Sequence, residues 1–244
     1  MSPTTDIDLA TTRPGTPGGR FMRRFWMAVH RSEDLPAGQA RAIRIMSEDF
    51  TLYRTAGGRA QVLDYRCPHR GAQLYHGWVE GEDLTCIYHG WKFAPDGQCV
   101  AQPAEEAGFA RKVQVKSYPT REWMGLVYAY FGEEAAPAFP PYPEPQAEGV
   151  LDVWTPYRVP CNYLQCFENS ADEVHVAFVH RPGGSHAPLS VDLPEVSAEE
   201  TPWGMVRYGR RPGGKVRVSL HYLPAVTRVI VPPLARSEEH TSEL

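Results

Sequence analysis

Cysteine and histidine recur at fixed offsets in the stretch CPHRGAQLYHGWVEGEDLTCIYHGW, Cys67 to Trp91, and no other segment constrains the fold as tightly. Cys67 and His69 form a Cys-x-His pair, and Cys86 and His89, after sixteen intervening residues, form a Cys-x-x-His pair. Two thiolates and two imidazoles make a metal-ligand set, so the chain must fold back to bring the pairs together. Zinc accepts such a set, but zinc modules usually place two cysteines within one loop, whereas here each loop carries one Cys and one His. Gly71 and Gly90 let the backbone turn close to a bound group, and Pro68 stiffens the first loop. His76 lies between the pairs but outside the pattern and reads as a surface or packing histidine.

The chain has 244 residues, 42% hydrophobic and 22% charged, enough for a substantial core and for two domains. A net charge of −4 gives no electrostatic footprint for nucleic acid or an anionic membrane. No apolar run approaches the ~20 residues of a membrane span. The opening MSPTTDIDLATTRPGTPGGR lacks the apolar core of a signal peptide. A soluble cytoplasmic protein is therefore expected. Five cysteines in such a chain read as ligands or core residues before disulfides. Cys99, Cys161 and Cys166 are expected to be small buried residues.

Residues 1–24, polar and rich in Thr, Pro and Gly, read as a disordered lead-in. From 25 to 132 the pattern is β. ARAIRI, FTLYRT and AQVLDYRC are short strands divided by SED and AGGR, and WKFAPDGQCV is a hairpin turning at Pro95-Asp96-Gly97. LVYAYFG is a further strand. Residues 133–149 carry five prolines without periodicity and read as an extended linker. A second domain, 150–235, opens with the strand VWTPYRVP and a helix over NYLQCFENSADEVHVAFVH, and returns to strands in WGMVRYGRR, KVRVSLHYL and AVTRVIV. The tail RSEEHTSEL, 236–244, is also what one frame of a common sequencing adapter encodes, and is expected to be an artefact on a chain cut short near Ala235.

CPHRG followed by CIYHGW resembles the signature of Rieske iron-sulfur proteins, with Ile87 where that family often has proline. In such a centre two cysteines hold one iron of a 2Fe-2S cluster and two histidines hold the other, so one Cys and one His from each of two loops clasp both irons. The resemblance makes Cys67, His69, Cys86 and His89 the cluster ligands. Tyr88 and Trp91 are expected to shield the cluster, because excluding water tunes its potential.

Downstream, ENSADEVHVAFVH sets Asp172, His175 and His180 in Asp-x-x-His-x4-His. Asp172 and His175 would share one helix face, and His180 would reach the same metal only if the helix bends or ends after His175. Pro182 favours such an end. Alone, such a pair reads as ordinary helix histidines. Together with the first motif it resembles the large (α) subunit of Rieske non-haem iron oxygenases, of the phthalate and vanillate type, from about Phe25 to Val231.

That resemblance implies an α+β chain: an all-β Rieske domain, then an incomplete helix-grip catalytic domain, an antiparallel sheet around a long helix. It also implies a mononuclear Fe(II) in a 2-His-1-carboxylate triad, with His175 and His180 as ligands and Asn169 near the iron. Asp172 would join that iron to the Rieske centre of a neighbouring subunit, the assembly being a homotrimer. The third, carboxylate ligand would lie beyond position 235, so the 244-residue chain itself is expected to carry the cluster, bind little mononuclear iron and hydroxylate nothing. Electrons would come from an NAD(P)H-dependent reductase, directly or through a ferredoxin, and dioxygen would hydroxylate or demethylate an aromatic substrate. No Gly-rich dinucleotide fingerprint occurs in the chain, consistent with a separate reductase. The rival reading, a Rieske ferredoxin without substrate, needs only the first domain and leaves Asp172, His175 and His180 without a role.

Overall fold

The structure is a computed structural model describing residues 7–106, 108–140, 159–179, 192–224 and 226–230. It divides into an N-terminal unit, to Arg158, and a C-terminal unit from Val159. Strand VWTPYRVP up to residue 158, His180, Pro182 and the 236–244 tail lie outside the described residues.

Residues 7–24, expected to be part of a disordered lead-in, are ordered. Helix α1 (Pro17–Met22) is ordered by Thr16, whose hydroxyl accepts from the Gly19 amide at 3.0 Å, the usual N-cap device. Arg23 then ties the segment down, donating to Thr12 O and to Met46 O and pairing with Glu48. These local caps and long-range arginine bonds, invisible in a composition count, order the segment from residue 7 onward.

Three antiparallel sheets follow. Strands β1 (Trp26–Arg31), β10 (Thr120–Trp123) and β11 (Leu126–Tyr130) make one, in the order β1-β11-β10. A second, β2-β3-β4-β9, joins Ala40–Ile45, Glu48–Arg54, Ala60–Asp64 and Ser117–Tyr118. The third is a meander of β5 (Trp78–Glu80), β6 (Asp83–Thr85), β7 (Lys92–Phe93) and β8 (Cys99–Ala101). The hairpin expected at Pro95-Asp96-Gly97 closes β7 on β8, with the Asp96 carboxylate accepting from the Gln98 amide. The core gathers Tyr53, Leu63, Leu74, Leu84, Phe93 and Val115, and the sulfurs of Cys67, Cys86 and Cys99 are buried in the same cluster. The proline-rich segment starts by lying on this unit: Trp26 donates through Nε1 to Pro137 O, and Phe139 packs edge-on against Trp26 and Tyr128.

Among the described residues the C-terminal unit is a four-stranded antiparallel meander, β12 (Glu195–Thr201), β13 (Gly204–Arg210), β14 (Val216–Tyr222) and β15 (Val226–Ile230), with two α-helices. The single helix expected over 162–180 is broken. Asn162 caps α2 (Tyr163–Ala171), which ends at Asp172 in extended conformation (φ −88°, ψ 120°), and a short α3 (Val176–Val179) follows. The break falls before His175, earlier than the helical spacing suggests. Its cause is local: the Asp172 carboxylate takes the amides of Val174 and His175, a side-chain turn that competes with helix propagation. Cys161 and Cys166, expected to be buried, are both exposed, with their sulfurs 3.4 Å apart, because Cys161 precedes the cap and Cys166 faces outward from α2. Cys99 is buried as expected.

Candidate metal centres

Two loops of one geometry hold the four predicted cluster ligands. The first runs from Cys67 to Ala72 after β4, and the second from Cys86 to Trp91 between β6 and β7. In each, the cysteine amide donates to the carbonyl five residues on (Ala72, Trp91), and the glycine amide four residues on returns to the cysteine carbonyl. Gly71 and Gly90 both stand at φ +71°, a left-handed conformation that a side chain would strain.

Each loop buries its cysteine and pushes its histidine outward. The Cys67 and Cys86 side chains are in hydrogen-bonding contact, and burial pushes the Cys67 thiol up to about 12 despite the His69 amide beside it, the neighbouring Cys86 and Cys99 sulfurs adding to the rise. A thiol so placed ionises readily only when a cation takes the charge. On the other side the His69 and His89 rings lie 4.4 Å apart, centroid to centroid. Desolvation first, then the electrostatic influence of the neighbouring His69 and Arg70, lowers the His89 pKa and favours the neutral ring a metal requires. His69 Nδ1 is buried and makes no hydrogen bond in the protein, a costly state for a ring nitrogen unless a metal uses its lone pair. The ligand types, the sulfur pair on one side and the imidazole pair on the other thus fit a cluster with one iron per pair. Among the described residues no three His, Cys, Asp or Glu side chains converge as one zinc ion would need.

Trp91 is buried and stacks on His69 at 4.5 Å, nearly parallel. Tyr88, expected to shield the cluster, does not: it is 60% exposed and only tilts against His89, because it rides the outer tip of the second loop. His76 is a surface histidine, 3.1 Å from the Gln73 amide oxygen.

In the C-terminal unit the break between α2 and α3 places Asn169 and His175 on one cavity of about 310 Å³, with Ser170, Val176, Arg217, Thr227 and Val229. The Asp172 carboxylate lies 3.5 Å from His175 Nδ1. Burial pushes that carboxyl upward, but the Val174 and His175 amides, with His175 and Arg207, outweigh it and hold it below the usual range. Asp172 and His175 therefore meet through a turn at a helix end, rather than along one helix face. The structure brings Asn169, Asp172 and His175 together; His180 lies outside the described residues. The sequence reading missed Glu173, which is fully buried among Arg207, Arg211 and Arg217. A signal existed: four arginines within the eleven residues 207–217, on an expected β-hairpin, call for a buried carboxylate.

The chain resembles known proteins over most of its length. The Rieske [2Fe-2S] domain family matches residues 25–119, which include both loops. The chain is 37% identical to the oxygenase subunit of 5,5'-dehydrodivanillate O-demethylase from Sphingobium sp., over 70% of this chain and 42% of that protein. It is 33% identical to the oxygenase subunit of phthalate 4,5-dioxygenase from Pseudomonas putida, over 96% of this chain and 58% of that one. The chain belongs to the Rieske oxygenase family. Its first unit is a Rieske domain, and its second is part of the catalytic fold of that family. A solved structure of dicamba monooxygenase bound to 3,6-dichlorosalicylic acid matches with TM-score 0.70 over 91% of this chain and 71% of that one; at 23% identity, this likeness speaks for the fold. The Rieske oxygenase chain spans about half the length of the curated relatives it matches. Among the described residues no helix is long and apolar enough to cross a membrane.

Proposed function

We propose that this chain is the terminal oxygenase component of a multicomponent system, oxidising an aromatic substrate with dioxygen. The observation that carries the reading is the co-occurrence, in one chain, of the two-loop Cys/His site and a cavity lined by Asn169 and His175, with the Asp172 carboxylate 3.5 Å from His175 Nδ1. When bound, a 2Fe-2S cluster supplies one-electron transfer and a mononuclear Fe(II) supplies dioxygen activation. Cys67, Cys86, His69 and His89 would hold the first, His175 and His180 the second, with a carboxylate as third ligand.

The protein's own side chains have distinct tasks. Trp91 keeps water from the imidazole edge, and the sulfurs are kept dry by Leu74, Leu84 and Phe93. Asp172, ionised at neutral pH, orients the His175 ring through Nδ1 and offers a polar link toward the Rieske centre of a neighbouring subunit in a trimer. Asn169 presents a neutral amide to the same cavity. The electron donor is a separate NAD(P)H-dependent reductase, directly or through a ferredoxin, and the setting is cytoplasmic.

The relatives' names support an aromatic substrate: dehydrodivanillate, phenoxybenzoate, phthalate and 3-chlorobenzoate. A carrier without substrate is disfavoured because these alignments cover 70% to 96% of the chain, well past residue 119. The test is iron and oxygen accounting in the protein with its carboxylate ligand present, supplied with a reductase and NADH. The oxygenase reading expects iron beyond the two of the cluster and oxygen uptake that depends on an aromatic substrate. Two irons per chain, with reduction but no such uptake, would make it a carrier.

A further inference from the structure

Two of the five cysteines lie outside both the metal loops and the core. Cys67, Cys86 and Cys99 are buried, whereas Cys161 and Cys166 are exposed. The two exposed sulfurs stand 3.4 Å apart, in hydrogen-bonding contact. Their meeting has a backbone cause. Asn162 is the N-cap of α2, its side chain accepting from the Leu164 amide at 2.9 Å. Cys161 is then the residue before the cap, and Cys166 the fourth residue of the helix. Capped helices bring these two positions together, and an apolar pair there commonly staples the incoming chain to the first turn. Here both staple positions are thiols.

Such a staple can become covalent. A disulfide holds its sulfurs at about 2.05 Å, and two exposed side chains already in contact have little distance to close. The hydrogen bond with Cys166 first, then desolvation and the charge on Cys166, raise the Cys161 thiol above its usual range. At neutral pH the pair therefore rests as a dithiol and changes state only when an oxidant arrives. A second thiol beside an accessible one lets a sulfenic acid condense to a disulfide instead of climbing to sulfinic acid. Exposed disulfides are also the readily reversed ones. What the bond would hold is the start of a helix that reaches the candidate iron site. The far half of α2 is tied to the sheet, with Phe167 edge-on against His221 at 5.8 Å and Arg207 donating to the Ser170 and Ala171 carbonyls. Asn169 and Ser170, in that half, line the cavity with His175. No α2 residue is fully buried, so local devices at its start carry much of its stability.

We propose that Cys161 and Cys166 are a site of reversible oxidation by hydrogen peroxide, whose disulfide locks the first turn of α2. The thiolate of one cysteine attacks a peroxide oxygen, the O–O bond breaks, and a sulfenic acid forms as water leaves. The other sulfur then attacks the sulfenic sulfur and expels its oxygen as a second water. The two thiols lose two electrons and two protons, and the peroxide gains them. A dithiol reductant reverses the step by exchange through a mixed disulfide. No metal takes part, so the site stands independently of the oxygenase reading.

The purified 244-residue protein is treated with hydrogen peroxide, alkylated and digested with trypsin. The peptide from Val159 to Arg207 holds both cysteines and no other. It should pass from alkylated at both sulfurs to alkylated at neither, about 2 Da lighter than the dithiol peptide, and revert with dithiothreitol. In Cys161→Ser and Cys166→Ser the remaining thiol should go on to sulfinic acid. Amide hydrogen exchange over residues 166–171 should slow at least about threefold when the parent is oxidised, and in neither variant. Sulfinic or sulfonic acid in the parent peptide without the disulfide overturns the proposal. So does a peptide still alkylated at both sulfurs once free cysteine in the same sample has been consumed. A disulfide that leaves the exchange of α2 unchanged overturns it too. These outcomes need only the parent protein, so they hold even if a variant fails to fold.

Discussion

Asp172 does two separable things. Its Oδ1 holds the turn into α3 through the Val174 and His175 amides, and its Oδ2 faces His175 Nδ1. Asparagine can do the first and lacks the charge for the second. Asp172→Ala should cost about 1 kcal/mol, the usual loss for such a cap, and Asp172→Asn much less. Both should leave the cluster bound and reducible while substrate turnover collapses, as stopped-flow reduction and product assays would show. Turnover retained in Asp172→Asn would reduce the residue to a cap. At this scale the sequence was informative about ligand types, because Cys and His at those offsets have few uses. It pointed only indirectly to Glu173, through an arginine cluster more than thirty residues away that needs a buried carboxylate without saying which one.

The two ligand loops show how little an element needs to share in sequence to share a shape. They hold CPHRGA and CIYHGW, yet both close with the same pair of backbone bonds around a glycine at φ +71°. The second loop is braced from its flanks, where Glu80 on β5 pairs with Lys92 on β7 at 2.6 Å and accepts from Thr85 at 2.8 Å. Lys92 first, then Thr85 and Trp78, hold the Glu80 carboxyl down at about 2, from an ordinary value of 4.5. A depressed carboxyl stabilises the fold above its unfolded pKa and loses that contribution as pH falls through the folded one. Acid unfolding followed by the cluster's visible absorption should therefore differ between the parent and Glu80→Gln at neutral pH, and the difference should vanish between pH 4.5 and about 2. A gap that persisted at pH 2 would contradict this role.

The C-terminal elements were harder to read. VRVSLHY alternates as a half-buried strand should, but the structure buries the polar set: Ser219 and His221 are inside, and Arg217 is nearly so. Alternation fixes which residues share a face, while the choice of inner face is made by what packs there, here Glu173 and the end of α2. The α2–α3 break was likewise invisible to periodicity, because a side-chain turn at Asp172 won over helix propensity.

At the scale of the molecule, the first unit buries its ligand cysteines, whereas the described residues of the second present one sheet and two α-helices with one of the two expected iron-ligand histidines, His175. The composition bounded the class of protein but had no bearing on the chemistry, which resides in fewer than ten side chains. The central claim is that the two loops hold a cluster with two sulfur and two imidazole ligands from the protein. The most direct measurement is a redox titration of the purified chain, followed by visible absorption, with Cys67, His69, Cys86 and His89 intact and then with His89→Cys. The account predicts a midpoint potential between about −150 and +300 mV for the parent, and a cluster that is lost or falls toward about −400 mV in the variant. A colourless protein holding one zinc, or a parent potential already near −400 mV, would contradict it.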